Sequence, residues 1–383
     1  MNIIEKIINM QIKSLNKYFK RYYLIQTLII ISIMQFLFAC SNTKSNTVKV
    51  KYRGGNNLKL LKNLHFEYDD SLFIGIVNDA EVIGNKIYIA DRSDCRIYMF
   101  DLDLNYQKRS KKCGKGPNEL SAPSFLSKHN KNLLVTEPRY GIVYLDDNFN
   151  IIKKLPVPKK HISNFNQIII NGNKIILSGY DKNPRGRKYI TDITTAVLYN
   201  TNGREERGIC YFDEIYDKKY NVAFYRKFFH SLISGGPKNT FIVSQDASLN
   251  HFVYSSQGEL LYKYYYSPQH YKKPPELTIN ELNKFSREKY YSDYLTKITL
   301  YKNIIYDKLN RLLYINYFTF KPNILYSKSF SDTENYLAVI NTNNECIYDG
   351  PIDGWMCSVE NGLIYTVVDD GIKSLAMNVY QIN

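Results

Sequence analysis

From residue 80 onward the chain alternates short apolar runs with polar turns, and the pattern returns six times. Each unit starts at an asparagine, continues with four to six residues rich in Ile, Val, Leu, Tyr or Phe, crosses a polar turn, and enters a second apolar run that ends in Asp or Asn. The first unit is Asn85-Lys-Ile-Tyr-Ile-Ala-Asp91 leading to Arg96-Ile-Tyr-Met-Phe-Asp101; the last is Asn361-Gly-Leu-Ile-Tyr-Thr366 leading to Ser374-Leu-Ala-Met-Asn-Val379. The others open at Asn132, Asn173, Asn239 and Asn310. Runs this short, β-branched and bounded by turn residues predict strands. Spacing that stretches upward from about 45 residues predicts four-stranded propeller blades with insertions.

Within each unit the two runs are the second and third strands of a blade. Ala80-Glu-Val-Ile83, Gln167-Ile-Ile-Ile170, Ser231-Leu-Ile-Ser234 and Trp355-Met-Cys-Ser358 precede asparagines and supply inner strands, while Tyr106-Gln107, Ile151-Ile152, Leu260-Leu261 and Cys346-Ile347 supply outer ones. The sixth unit ends at Asn383 without an outer strand, so Leu58–Tyr68 is expected to close the last blade and cover its edge. Thr278-Ile-Asn-Glu281 is a capping box with apolar residues at helical spacing after it, predicting one inserted helix over about 276–297. The fold expectation is all-β: a six-bladed β-propeller over 58–383.

The amino terminus follows another logic. Lys13, Lys17, Lys20 and Arg21 precede an apolar run, Leu24 to Phe38, that is too short to span a bilayer and ends in Leu37-Phe38-Ala39-Cys40. This resembles a bacterial lipobox, which implies a signal peptide over 1–39, cleavage before Cys40, and lipid attachment at Cys40. Residues 40–57, polar at their start, are expected to tether the lipid to the propeller.

The formal charge is +15, and residues 1–39 account for five basic groups and one acidic group, leaving +11 on the body. Its Lys and Arg are scattered, apart from doublets such as Lys111-Lys112, so a nucleic-acid partner is not expected. Beyond Cys40 the cysteines are Cys95, Cys113, Cys210, Cys346 and Cys357, an odd number with no zinc spacing to any histidine. Folding the first blade's outer hairpin about residues 103–104, with a one-residue bulge, sets Cys95 opposite Cys113 and predicts a disulfide.

The six units, the lipobox and Gly114-Lys-Gly-Pro-Asn-Glu119 together resemble the six-bladed propeller lipoproteins of Bacteroides-type bacteria, often labelled NHL-like or TolB-like. The resemblance implies a cell-envelope location, on the outer membrane facing the periplasm, and no particular activity. Gly114, Gly116 and Pro117 suit a tight crossover between blades, with Glu119 accepting backbone N–H bonds, and they lack the ending of a phosphate loop. Loops on the face where propellers bind ligands carry Arg92, Glu137, Arg139, Tyr140, Arg187, Arg226, His230 and Asp246. Asp91, Asp94, Asp181, Asp369 and Asp370 lie in the same loops. Mixed charge with tyrosine suits a glycan, a peptide or a partner protein, without a cofactor. The alternative is a calcium-dependent hydrolase or lactonase using the channel, for which no ligand set can be assigned.

Overall fold

The computed structural model describes residues 46–68, 72–116, 119–137, 141–155, 162–163, 167–181, 193–202, 204–213, 215–216, 231–275, 278, 280–281, 293–322, 332–369 and 374–383. The chain is an all-β six-bladed propeller. Blade one is an antiparallel meander of Val77–Ile83, Lys86–Asp91, Arg96–Asp101 and Tyr106–Arg109, numbered from the axis outward. Blades two to five repeat that order, with inner strands Phe125–His129, Ile168–Asn171, Ser231–Gly235 and Thr299–Asp307. In blade six, Trp355–Glu360, Leu363–Asp369 and Ser374–Ile382 are followed outward by Leu58–Glu67, which pairs antiparallel with Ser374–Ile382 from Glu67 opposite Ser374 to Leu58 opposite Ile382.

Apolar side chains from facing sheets make the core. One cluster joins blades six and one through Leu64, Ile87, Ile89, Phe100 and Met377. Another joins blades four and five through Val253, Tyr266, Ile315 and Ala338.

The amino-terminal approach to the propeller differs from the expected tether. Asn46–Lys49 pairs with the outer strand of blade four, and Lys51–Tyr52 runs parallel to the outer strand of blade five, Glu345–Pro351. Those outer edges offer unpaired N–H and C=O groups, which a passing extended chain satisfies. Val50 packs on the core shared by the two blades and Arg53 pairs with Glu345 at 3.0 Å, so this strap spans their junction. Of the expected inserted helix, most lies outside the described residues; its capping box is present, with Thr278 N–H donating to the Glu281 carboxylate at 2.7 Å and Glu281 N–H to Thr278 Oγ1 at 3.3 Å.

The first blade's outer hairpin carries the Cys95–Cys113 disulfide, Cα atoms 5.5 Å apart, and the register slips by one residue between Met99 and Phe100. Cys210, Cys346 and Cys357 are buried thiols. In the crossover to blade two, Glu119 accepts a hydrogen bond from Gly116 N–H at 2.8 Å. A Cβ on Gly114 would lie 2.7 Å from the Glu119 carboxyl carbon, so any larger residue there would push that side chain aside. Pro117 lies outside the described residues.

Candidate functional site: the central channel

A cavity of about 880 Å³ runs along the axis and is lined by the inner strands of all six blades. Its polar side chains join each blade to the next. Asp79 accepts a bond from Leu126 N–H at 2.7 Å (blades one and two), and Ser127 Oγ donates to Ile168 C=O at 3.0 Å (two and three). Gln167 Oε1 accepts from Ile233 N–H at 2.7 Å, Ser234 Oγ accepts from Tyr306 N–H at 2.8 Å, and Asn303 Nδ2 donates to Met356 C=O at 3.3 Å. Ser358 Oγ donates to Glu81 at 2.6 Å and completes the circuit. Two contacts cross the channel by skipping a blade: Gln167 Nε2 donates to Asn303 Oδ1 at 3.0 Å, and Lys128 pairs with Glu360.

Three inner strands carry bulges, where the ladder skips Asn78, Lys302 and Cys357. A bulge re-aims the side chains around it. In blade five, Lys302 and Asn303 both line the channel, although successive residues of a regular strand face opposite ways. The Lys302 ammonium lies 4.6 Å from the centre of the Trp355 ring, within cation–π range. Desolvation pulls its proton affinity down, and the charges of Asp79 and Asp246 oppose that pull.

The carboxylates shift the other way. Desolvation pushes Asp79 up to about 7 against the hydrogen bond from Leu126 N–H, and pushes Glu81 up to about 8 against the bond from Ser358. The channel therefore holds groups that change charge near neutral pH, beside a cation and an aromatic face. Such perturbed groups mark a site for binding or proton exchange. Among the described residues no group of three His, Cys, Asp or Glu side chains is placed to hold a metal ion.

Of the loop residues singled out in the sequence, Asp246 lines this channel. Arg92 is exposed and lies outside its lining, and Glu137 is buried elsewhere: its carboxylate accepts from Ser121 N–H at 3.0 Å and from the Ser121 hydroxyl. Asp91 does the same work in blade one, accepting from Gly75, Ile76 and Ser93 N–H at 2.8–3.1 Å, and Gln245 in blade four accepts from Asp213 N–H at 2.8 Å. All three end the second strand of their blade and clamp the incoming connection. Asp94 accepts from the Tyr98 hydroxyl at 2.6 Å and pairs with Arg96 at 3.1 Å. Arg139, Tyr140, Arg187, Arg226, His230 and Asp370, with the side chains of Asp181 and Asp369, lie outside the described residues.

The sequence reading missed Asp79, Glu81, Gln167, Lys302, Asn303 and Trp355 as channel groups. For Asp79, Glu81, Lys302 and Asn303 the signal was a charge or amide inside the strand of the blade nearest the axis; Gln167, just before its strand, and Trp355, at the start of its own, carried none.

Residues 42–139 match the model of a family described as a 6-bladed beta-propeller. Among solved structures, a member of the DUF4221 family from Bacteroides vulgatus is similar over 86% of this chain and 98% of its own, with a TM-score of 0.63 and 15% identity. A protein from Bacteroides fragilis described as exported is similar over 87% of this chain and 98% of its own, with a TM-score of 0.54 and 13% identity. At these identities the likeness is one of fold. No curated protein matches the sequence.

Proposed function

We propose that the chain is a lipid-anchored binding module of the bacterial cell envelope, and that its central channel holds a small polar ligand, a peptide or a saccharide segment. The observation that carries this reading is Lys302, lifted out of its ladder, set over Trp355 and drawn by Asp79 and Asp246 from opposite sides of the ring. A ligand carboxylate would meet Lys302, and ligand hydroxyl or amino groups would meet Asp79, Glu81 and Asp246. The channel volume lies within the range of about 300–1,000 Å³ typical of small-ligand sites.

The test is calorimetric titration of the full chain with a panel of short peptides and neutral oligosaccharides. At least one is expected to bind, and Lys302→Gln is expected to weaken it roughly tenfold, the value of one charge-assisted contact. No binding across the panel, or binding indifferent to Lys302→Gln, would remove the channel from consideration. Anchoring is tested separately: Cys40→Ser should abolish labelling by a palmitate analogue and release the protein from the membrane fraction, and unchanged labelling would refute it.

A further inference from the structure

A second cavity, about 1100 Å³, lies between blades four and five, away from the loops that carry the sequence-predicted site. Its walls are four turns: 236–240 and 255–257 of blade four, and 308–311 and 341–342 of blade five. In a propeller built from meanders, the turn after the inner strand and the turn before the outer strand emerge on one face, so these four border a single groove. It meets the channel mouth at Tyr306 and Lys308, which line both.

The lining chemistry is one-sided. Lys238, Lys308 and Arg311 are exposed at its rim, none of them ion-paired to a described residue, and the described lining contains no Asp or Glu. Three half-buried tyrosines form its wall. Tyr262 and Tyr264 meet edge to face with ring centres 5.2 Å apart and hydroxyls 3.2 Å apart, and Tyr306 stands on the blade-five side. Between rings and cations lie uncharged hydrogen-bonding groups, Gln257 and Asn341 among them. Lys238 and Arg311 hold positive φ of 50° and 56°, so tight turns fix where their side chains leave the backbone. The strap over residues 46–52 crosses the same blade junction.

We infer that this groove binds an acidic oligosaccharide, a sugar chain bearing carboxylates or sulfates. Ring faces suit the C–H faces of pyranoses, amides and hydroxyls suit sugar hydroxyls, and three cations on a described lining without carboxylates suit an anionic ligand. A single phosphate would leave the tyrosine wall unused, and the volume exceeds that of an ordinary small-ligand pocket. Only Tyr306 and Lys308 are shared with the channel, and the proposal does not depend on the channel reading.

The experiment titrates the full chain in mild detergent with tri-galacturonate, a sulfated heparin tetrasaccharide, neutral maltotriose and a hexaglutamate peptide, at low salt and at about 0.5 M salt. One of the two acidic sugars is expected to bind, at least roughly tenfold tighter than maltotriose or the peptide, and to weaken at high salt. The double variant Lys238→Gln/Arg311→Gln, altered at exposed positions that do not line the channel, should weaken it roughly tenfold or more. Lys302→Gln should leave it unchanged, which separates this groove from the channel. Absence of binding by both acidic sugars, equal binding by the peptide, or sensitivity to Lys302→Gln but not to the double variant would each overturn the proposal.

Discussion

At the scale of the residue, the channel carboxylates carry a signed pH dependence. Asp79 and Glu81 bind their protons more tightly folded than unfolded, so the stability they contribute is complete below their unfolded values and is lost as pH rises through about 7 for Asp79 and about 8 for Glu81. Both side chains are half-buried and open toward the channel, so its water screens part of the effect; we expect Glu81 to cost about 2 kcal/mol at pH 9 relative to pH 5. Glu81→Gln should keep the bond from Ser358 and flatten the fall of melting temperature between pH 5 and 9, as read by thermal unfolding across that range. An unchanged slope would show that Glu81 titrates normally. His251 runs the opposite way. Buried, with Nδ1 2.6 Å from Ser244 Oγ and its proton affinity lowered to about 4 by desolvation, it contributes stability above its unfolded value that is lost as pH falls toward 4. The two groups oppose each other between roughly pH 4.5 and 6.5, which is why single variants are needed to separate them. Asp246 was legible in the sequence because a charged residue in a turn between strands stands out. Asp79, Glu81 and Lys302 were not, because a polar residue inside a strand normally marks its solvent face, and here that face is an axial cavity.

At the scale of the element, the strands were legible from their β-branched runs and bounding asparagines, whereas the three inner-strand bulges were not. A bulge shifts a period-two pattern by one residue, and in a strand of mixed polarity the shift reads as loss of pattern. The turn expected about residues 103–104 of blade one is a motif whose recurrence went unread. Asp101 Oδ1 accepts from Asp103 and Asn105 N–H, Asp146 Oδ1 from Asn148 and Asn150 N–H, and Asn341 Oδ1 from Asn343 and Glu345 N–H. In each, the fourth residue has positive φ: Leu104, Phe149 and Asn344. Ser255 builds the same turn in blade four, its Oγ accepting from Gln257 and Glu259 N–H with Gly258 at positive φ, so this one turn leads into the outer strand of four blades and its signature is an Asp, Asn or Ser four residues before an Asn or Glu. The strap was missed because Asn46–Tyr52 is short, its alternation of Val48, Val50 and Tyr52 with lysines follows directly on a polar stretch, and its stability comes from edges supplied by distant parts of the chain. Its removal gives an element-scale prediction. Deletion of residues 41–45 should leave the melting temperature unchanged, while deletion of 41–53 should lower it by several degrees, for about 1–3 kcal/mol of lost edge pairing and packing of Val50. Equal melting temperatures for the two would mean that the strap adds nothing to the blade junction.

At the scale of the whole molecule, a ring of blades holds only if every junction holds, and the junction between blades six and one is the one closed by chain ends far apart in sequence. Leu58–Glu67 lies along Ser374–Ile382, while Leu64 and Phe66 reach into the core of blade one, where Phe66 meets Phe100 edge to face at 5.2 Å. The same segment therefore completes one blade and packs on the next. The polar circuit adds its own closure at this point through Ser358 and Glu81, each such bond worth about 1 kcal/mol net. Leu64 is buried in the shared cluster, so Leu64→Ala should cost about 2–5 kcal/mol through lost burial and the cavity left behind. A linear stack of blades would confine the damage to one end. A clasped ring spreads it, because loosening the clasp frees both blades at once. Hydrogen exchange on Leu64→Ala should accordingly lose protection together in Leu363–Asp369 of blade six and Lys86–Asp91 of blade one, with Phe241–Gln245 of blade four following only at global unfolding. Loss confined to blade six would show that the amino-terminal strand finishes a sheet without clasping the ring.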